Sequence, residues 1–146
     1  MKRFIFAVCA GIAAGAALAS SASATQVLYR TPGELGAESA LVVRGEVAEV
    51  RSYWNEKRTK IFTAARIAVG ETYKGNGLPV VEVVQLGGVA DNVKVTVQGA
   101  LAWMPGEEVV LFLEPYDGPS APSAAFQVSG FSQGKFSVER DPRTGE

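Results

Sequence analysis

From Leu41 to Leu113 the chain repeats one pattern: short apolar runs of period two, each closed by turn-forming residues. This pattern constrains the fold most, because side chains alternate between two faces of a strand but return to one face of a helix only every three or four residues. Leu41, Val43, Gly45 and Val47 alternate with Val42, Arg44, Glu46 and Ala48 in a first strand that reaches Arg51. Ile61, Thr63, Ala65, Ile67 and Val69 share one face of a second strand, and Val80 to Leu86 form a third. Val93, Val95 and Val97 alternate with polar neighbours in a fourth. Val109 to Leu113 is nearly continuous in apolar character, as in a strand covered on both faces. Phe126 to Val128 and Phe136 to Val138 are two shorter strands around Gly130 and Gly134. Lys74 to Gly77, Gly87-Gly88, Asp91-Asn92, Pro105-Gly106 and Pro115 to Pro122 supply the turns.

Five to seven such strands with little helix predict an all-β domain. The expected form is a small, partly open antiparallel barrel of the OB type with five strands, and the alternative is a β-sandwich. Gly45 interrupts the core alternation of the first strand, where a barrel strand bends sharply. One short helix precedes the barrel. Thr31 can cap it, Pro32 suits its first position and Glu34 can complete a capping box. Gly33 and Gly36 limit it to one or two turns ending near Ser39.

Met1-Lys2-Arg3, the uncharged run Phe4 to Leu18, and Ala22-Ser23-Ala24 have the order of a secretory signal peptide cleaved after Ala24. The run is too short and too rich in Ala and Gly for a membrane span. Cys9 follows only five apolar residues, too few for a lipoprotein leader. The expected organisation is therefore a signal peptide at 1–24, an N-terminal segment with the short helix at 25–40, the β-barrel domain at 41–140, and a turn or tail at 141–146. Asp141 to Gly145 is a turn signal with no returning strand, which leans the reading toward a truncated longer chain over a loose tail. The expected location is periplasmic or secreted, and the processed chain holds no cysteine, so a hydrophobic core rather than disulfides must sustain it.

Composition narrows the chemistry. With no histidine, Ser-His-Asp and Cys-His catalysis and imidazole metal sites are excluded. The net charge of −1, more negative once Lys2 and Arg3 leave with the leader, is unsuited to broad capture of nucleic acid. Gly130 to Phe136 lacks the spacing of a phosphate loop and reads as a β-turn. Glu107 and Glu108 point to opposite faces of a strand, and Glu108 and Glu114 are too far apart for a catalytic pair. All three read as solvated strand ends. Ser52 with Lys57 or Lys60, and Ser132 with Lys135, lack the surroundings of a Ser-Lys hydrolase. The chain is thus expected to have no catalytic residues, no metal and no cofactor.

What remains is a binding surface. Ser52 to Lys60 joins the first two strands and sets Tyr53 and Trp54 among Lys57, Arg58 and Lys60. Aromatic anchors beside arginine are what protein interfaces concentrate. The alternative is that Tyr53 or Trp54 plugs the barrel mouth. Read as a meander, the chain puts this loop, Gly87 to Asn92 and Pro115 to Ala124 at one end, with Trp103 at the other.

Ala40 to Val47, Ile61-Phe62-Thr63, Tyr73-Lys74-Gly75, Leu86-Gly87-Gly88 and Gly106 to Leu113, in this order, resemble an uncharacterised family of exported bacterial β-domain proteins. More distantly the pattern is similar to the netrin-module fold of the tissue inhibitors of metalloproteinases, an OB barrel. The resemblance covers roughly Ala40 to Arg140. It implies insertion of loops from one barrel end into a protease cleft. Those inhibitors also chelate the protease zinc through an N-terminal cysteine, whereas the expected mature chain starts Thr25-Gln26, so that device does not carry over. The expected function is an exported, non-enzymatic binding domain for an extracytoplasmic protein, with a metalloprotease as the named candidate. Its contact residues would be Tyr53, Trp54, Arg58, Gly87 and Gly88. The alternative is a structural module that binds envelope polysaccharide.

Overall fold

A computed structural model describes residues 28–118, 124–140 and 143–144 of the chain. The signal peptide and its cleavage site lie outside the described residues, as does most of the 141–146 turn. The helix, α1 (Pro32–Glu38), forms as its sequence dictates. The Thr31 hydroxyl accepts from the Glu34 N–H, and the Glu34 carboxylate accepts from the Thr31 N–H at 2.7 Å. These two bonds satisfy donors that a helix start otherwise leaves open. Ser39 ends the helix, with its hydroxyl donating to the Leu35 carbonyl at 2.6 Å. Leu35, buried, anchors the helix to the domain.

The rest is all-β. Two 14-residue strands, β1 (Leu41–Trp54) and β2 (Ile61–Lys74), form the long central hairpin. Next come β3 (Val80–Leu86), the short pair β4 (Gly88–Ala90) and β5 (Val93–Val95), then β6 (Glu108–Pro115), β7 (Phe126–Val128) and β8 (Lys135–Ser137). The main sheet runs β1-β2-β3-β7-β6, and β6 pairs back onto β1 from Leu41↔Leu113 to Glu46↔Glu108, closing a ring of five strands. β8 extends the sheet beside β6.

Two expectations change. The ring is not wholly antiparallel: β3 and β7 run parallel and meet at the single pair Val83↔Phe126. An odd number of strands cannot alternate direction all the way round, so one seam must be parallel, and this one is short. The expected fourth strand also leaves the ring. Asp91 and Asn92 both adopt positive φ, +49° and +63°, the geometry of a tight two-residue hairpin turn. Val93–Val95 therefore pairs with its immediate predecessor, Gly88–Ala90, in a separate two-stranded sheet.

Gly45 sits where β1 changes register against β2. A β-carbon there would overlap the Ala68 carbonyl oxygen and press on Ile67 Cγ2 at 2.9 Å, so only glycine allows the strands to approach this closely. Inside the ring, Val43, Val47, Ile67, Val83, Val109 and Leu111 form the main core. A second cluster, Phe62, Ala64, Val84 and Ala125 with Tyr53 and Tyr116, lies on the opposite face of β2 and β3. Ile61–Ala65 is accordingly buried residue after residue, with both faces covered. β6 keeps its alternation: Val109, Leu111 and Leu113 are fully buried, and the opposite face is half-covered, with Phe136 edge-on to Phe112 at 5.7 Å.

Candidate binding surface

β1 and β2 continue past the ring. Ser52, Tyr53 and Trp54 belong to β1, opposite Thr63, Phe62 and Ile61, so the strand runs three residues beyond the expected Arg51. The loop that remains is folded around Asn55. Its side-chain oxygen accepts from the N–H groups of Thr59 and Lys60, both at 2.8 Å, and Arg58 takes positive φ to complete the turn.

The β4–β5 hairpin packs against this extension. The Thr63 hydroxyl donates to the Gly87 carbonyl at 2.7 Å and lies 3.0 Å from the Ser52 hydroxyl. Gly88, with φ +132°, rests on these two hydroxyls, and a β-carbon there would overlap both. At the outer end the Arg58 guanidinium meets the Asp91 carboxylate at 2.5 Å. Four of the five expected contact residues, Trp54, Arg58, Gly87 and Gly88, are therefore brought together, while Tyr53 lies on the other face of β1. Gly87 and Gly88 allow the close approach. Tyr53 stacks on Phe62 at 6.0 Å beneath the Arg51 guanidinium, and burial raises its hydroxyl pKa above the ordinary value. Trp54 lies under Arg58, 5.5 Å from ring centre to guanidinium. Among the described residues neither the Tyr53 hydroxyl nor the Trp54 indole N–H has a hydrogen-bond partner. The tip exposes Val89 and Val93 among charged side chains that include Lys57, Arg58, Lys60, Asp91 and Lys94.

Trp103 sits at this same end, not the opposite one. The meander reading failed because β4 and β5 are not ring strands, so residues 96–107 return across the ring as a strap. The strap is fastened at two points. The Gln85 side-chain amide donates to the Leu101 carbonyl at 2.8 Å and accepts from the Leu101 N–H at 3.0 Å, doing for the strap what a neighbouring strand would do. Lys135 donates to the Ala102 carbonyl at 3.0 Å and to Glu107 at 2.7 Å, with its ammonium 5.1 Å from the Trp103 ring centre. Leu101 and Trp103 thereby pack onto the main core. A cavity of about 310 Å³ lies on one side of the strap, lined by Leu86, Leu101, Trp103, Tyr116, Gln127 and Phe131 among others. Another of about 360 Å³, bordered by Val50, Ser52, Gly88, Val89 and Lys94, lies on the other side.

Glu107 and Glu108 are not solvated strand ends. The side chains of Glu107 and Lys135 are only 12% and 9% exposed, and Glu107 also accepts from Ser137 at 2.5 Å. Burial alone would raise the Glu107 pKa, but the hydrogen bonds from Lys135 and Ser137 outweigh it and hold the carboxyl below its ordinary value. Glu108, on the outer face, is bound by Arg44 at 2.7 Å and Arg140 at 3.0 Å, chiefly Arg44 lowering its pKa. Glu114 shares that face and accepts from Gln127. Each acid is committed to a partner of its own. The strap and its clasp were not singled out from the sequence. The available signal was Gln85, an amide among valines at an inward strand position, which a buried polar group occupies only with partners to satisfy it.

Among the described residues no group of three or more Cys, Asp or Glu side chains is placed to hold a metal, and no helix is long and apolar enough to cross a membrane. No family model, no curated protein and no solved structure matches this chain.

Proposed function

We propose that the protein is an exported, non-catalytic binding domain that engages an extracytoplasmic protein through the tip built from the β1–β2 loop and the β4–β5 hairpin. One observation carries this reading. Exposed Val89 shares one face of the β4–β5 hairpin with Lys94 beside the open cavity, and the exposed Arg58–Asp91 pair lies at the hairpin's turn. An exposed apolar side chain with charged neighbours and a recess for a partner side chain is the composition of a protein-binding patch. Trp54 then acts from beneath Arg58, holding the loop in shape, while Arg58 and Val89 make the contact. Export rests on the N-terminal sequence pattern, and a secreted metalloprotease is the first partner class to assay because the sequence resemblance names it.

The test is capture from the envelope and culture fluid of the producing cells, with Arg58→Glu/Val89→Asp as the control. Both side chains are exposed, so the variant should fold. A protein retained by the wild type and lost by the variant supports the reading. Equal retention by both refutes the tip as the contact. A second reading has its own observation: Tyr116, Phe131 and Trp103 line the 310 Å³ cavity together with Gln85, Gln98 and Gln127, a mixture of rings and amides suited to a sugar. Retention on envelope polysaccharide, abolished by Phe131→Ala and untouched by the tip variant, would favour it.

A further inference from the structure

Among the described residues, β1 has one edge without a strand beyond Glu46. β6 reaches only that residue, and the next outward-facing residue, Val47, is closed by the loop: its N–H donates to the Glu107 carbonyl, and its carbonyl accepts from the Gly106 N–H. A register shift at 47–49 follows, after which β1 pairs with β2 alone as far as Trp54. In an antiparallel ladder, alternate residues turn both backbone groups toward the partner and the others turn both away. The Asn55 N–H donates to the Lys60 carbonyl, which fixes the phase. Tyr53, Arg51 and Glu49 face β2. Val50, Ser52 and Trp54 face outward, with three N–H and three C=O groups that no strand pairs among the described residues.

We infer that this edge pairs with the same edge of a second copy of the chain, antiparallel and centred on Ser52. The edge is self-complementary. In that register Val50 faces Trp54 of the second copy, Ser52 faces Ser52, and Trp54 faces Val50. Three such pairs exchange six hydrogen bonds and satisfy every outward group on both edges. On the outer face Arg51 lies across from Tyr53 of the second copy, a cation-to-ring contact, and Glu49 lies across from Asn55. The two Arg51 chains approach only diagonally, each already neutralised by its own Glu82 at 2.9 Å. Neighbouring registers fail. A shift of two residues one way sets Arg51 directly against Arg51, and the same shift the other way sets Val50 against Glu56, beyond the end of the strand. On the inner face the 360 Å³ cavity opens beside Val50 and Ser52, so the side chains of an arriving strand meet space. The residues that turn their backbone groups outward, Val50, Ser52 and Trp54, include no proline and no charge. The dimer leaves the exposed Arg58 and Val89 side chains outside the paired segment.

The experiment is sedimentation equilibrium on the protein as its cells process it, with two Ser52 variants and a Lys60→Cys control in a Cys9→Ser background. Ser52→Pro removes an outward N–H while sparing the ladder to β2, which an edge strand tolerates. Ser52→Cys places thiols at facing positions about 5.5 Å apart between α-carbons, within disulfide reach. The expected result is a monomer–dimer equilibrium that Ser52→Pro weakens on the order of tenfold or more. Mild oxidation of Ser52→Cys should give a covalent dimer that Lys60→Cys does not. A wild type that stays monomeric at roughly 100 µM overturns the inference. So does a dimer that persists in folded Ser52→Pro, or one that Ser52→Cys fails to link. If Ser52→Pro does not fold, the cysteine variant decides alone. Tip variants Arg58→Glu/Val89→Asp should dimerise normally, so loss of partner capture and loss of self-association read out separately.

Discussion

Replacing Lys135 by Met should destabilise the domain by about 3 kcal/mol, because it leaves Glu107 ionised in a nearly closed site. Three interactions disappear together: the 2.7 Å ion pair, the 3.0 Å bond to Ala102 and the cation over Trp103. Breaking a buried pair costs about 3–5 kcal/mol. The lower end applies because Ser137 and the Met104 N–H still donate to Glu107. Equilibrium urea unfolding reads the effect directly. With a slope of roughly 1.5–2 kcal/mol per molar, the midpoint should fall by about 1.5–2 M at unchanged slope. The double variant Glu107→Gln/Lys135→Met removes the orphaned charge, so it should cost less than about 1.5 kcal/mol and reveal a coupling of about 2 kcal/mol or more. A loss below about 0.5 kcal/mol for Lys135→Met, the range of ordinary surface changes, would refute the clasp. Additivity of the two substitutions would do the same.

Three further outcomes follow from the same geometry. Glu107 titrates below its ordinary value of 4.5, so its contribution is complete above that pH and is lost as pH falls through the lower folded value; Glu107→Gln should flatten the acid limb of a stability–pH curve and leave the range between pH 5 and 7 flat. Gly88→Ala should cost about 1–3 kcal/mol through overlap with Ser52 and Thr63, whereas Gly99→Ala, which meets nothing within 4 Å, should cost only about 1 kcal/mol of left-handed strain, both read by thermal unfolding. Gln85→Leu strips both backbone groups of Leu101 of their partner, so hydrogen exchange at the Leu101 amide should accelerate at least about tenfold while β2 amides stay protected.

Where the deciding interactions are local, the sequence was readable. Thr31, Pro32 and Glu34 determine the helix start within four residues, and Gly45, which reads as a bend in the first strand, sits at a register shift of β1. Long-range choices were not readable. The alternation Val93-Lys94-Val95 identifies a strand but not its neighbour, and the Asp91-Asn92 turn assigned that neighbour to Gly88–Ala90 instead of a ring strand. With the hairpin out of the ring, the order of ends reversed, which moved Trp103 to the strap. Glu107 was misplaced for a related reason: glutamate is ordinarily solvated, and its burial depends on Lys135, which lies 28 residues away in sequence. Trp54 lies beneath Arg58, whereas Tyr53 takes Arg51 as its neighbour on the other face of β1. Their half-buried stacking follows from the extension of β1, which alternation alone placed three residues short.

The central claim is that contact with a partner is made at the tip and not elsewhere on the ring. Site-specific photocrosslinking in the producing cells tests it most directly, with a photoreactive residue at position 89 in the β4–β5 hairpin or at position 78 in the β2–β3 turn at the far end of β2. Both native side chains, Val89 and Leu78, are exposed, so either position accepts the probe. A discrete protein adduct is expected from position 89 and none from position 78. Adducts from position 78 alone, or equally from both, would contradict the claim.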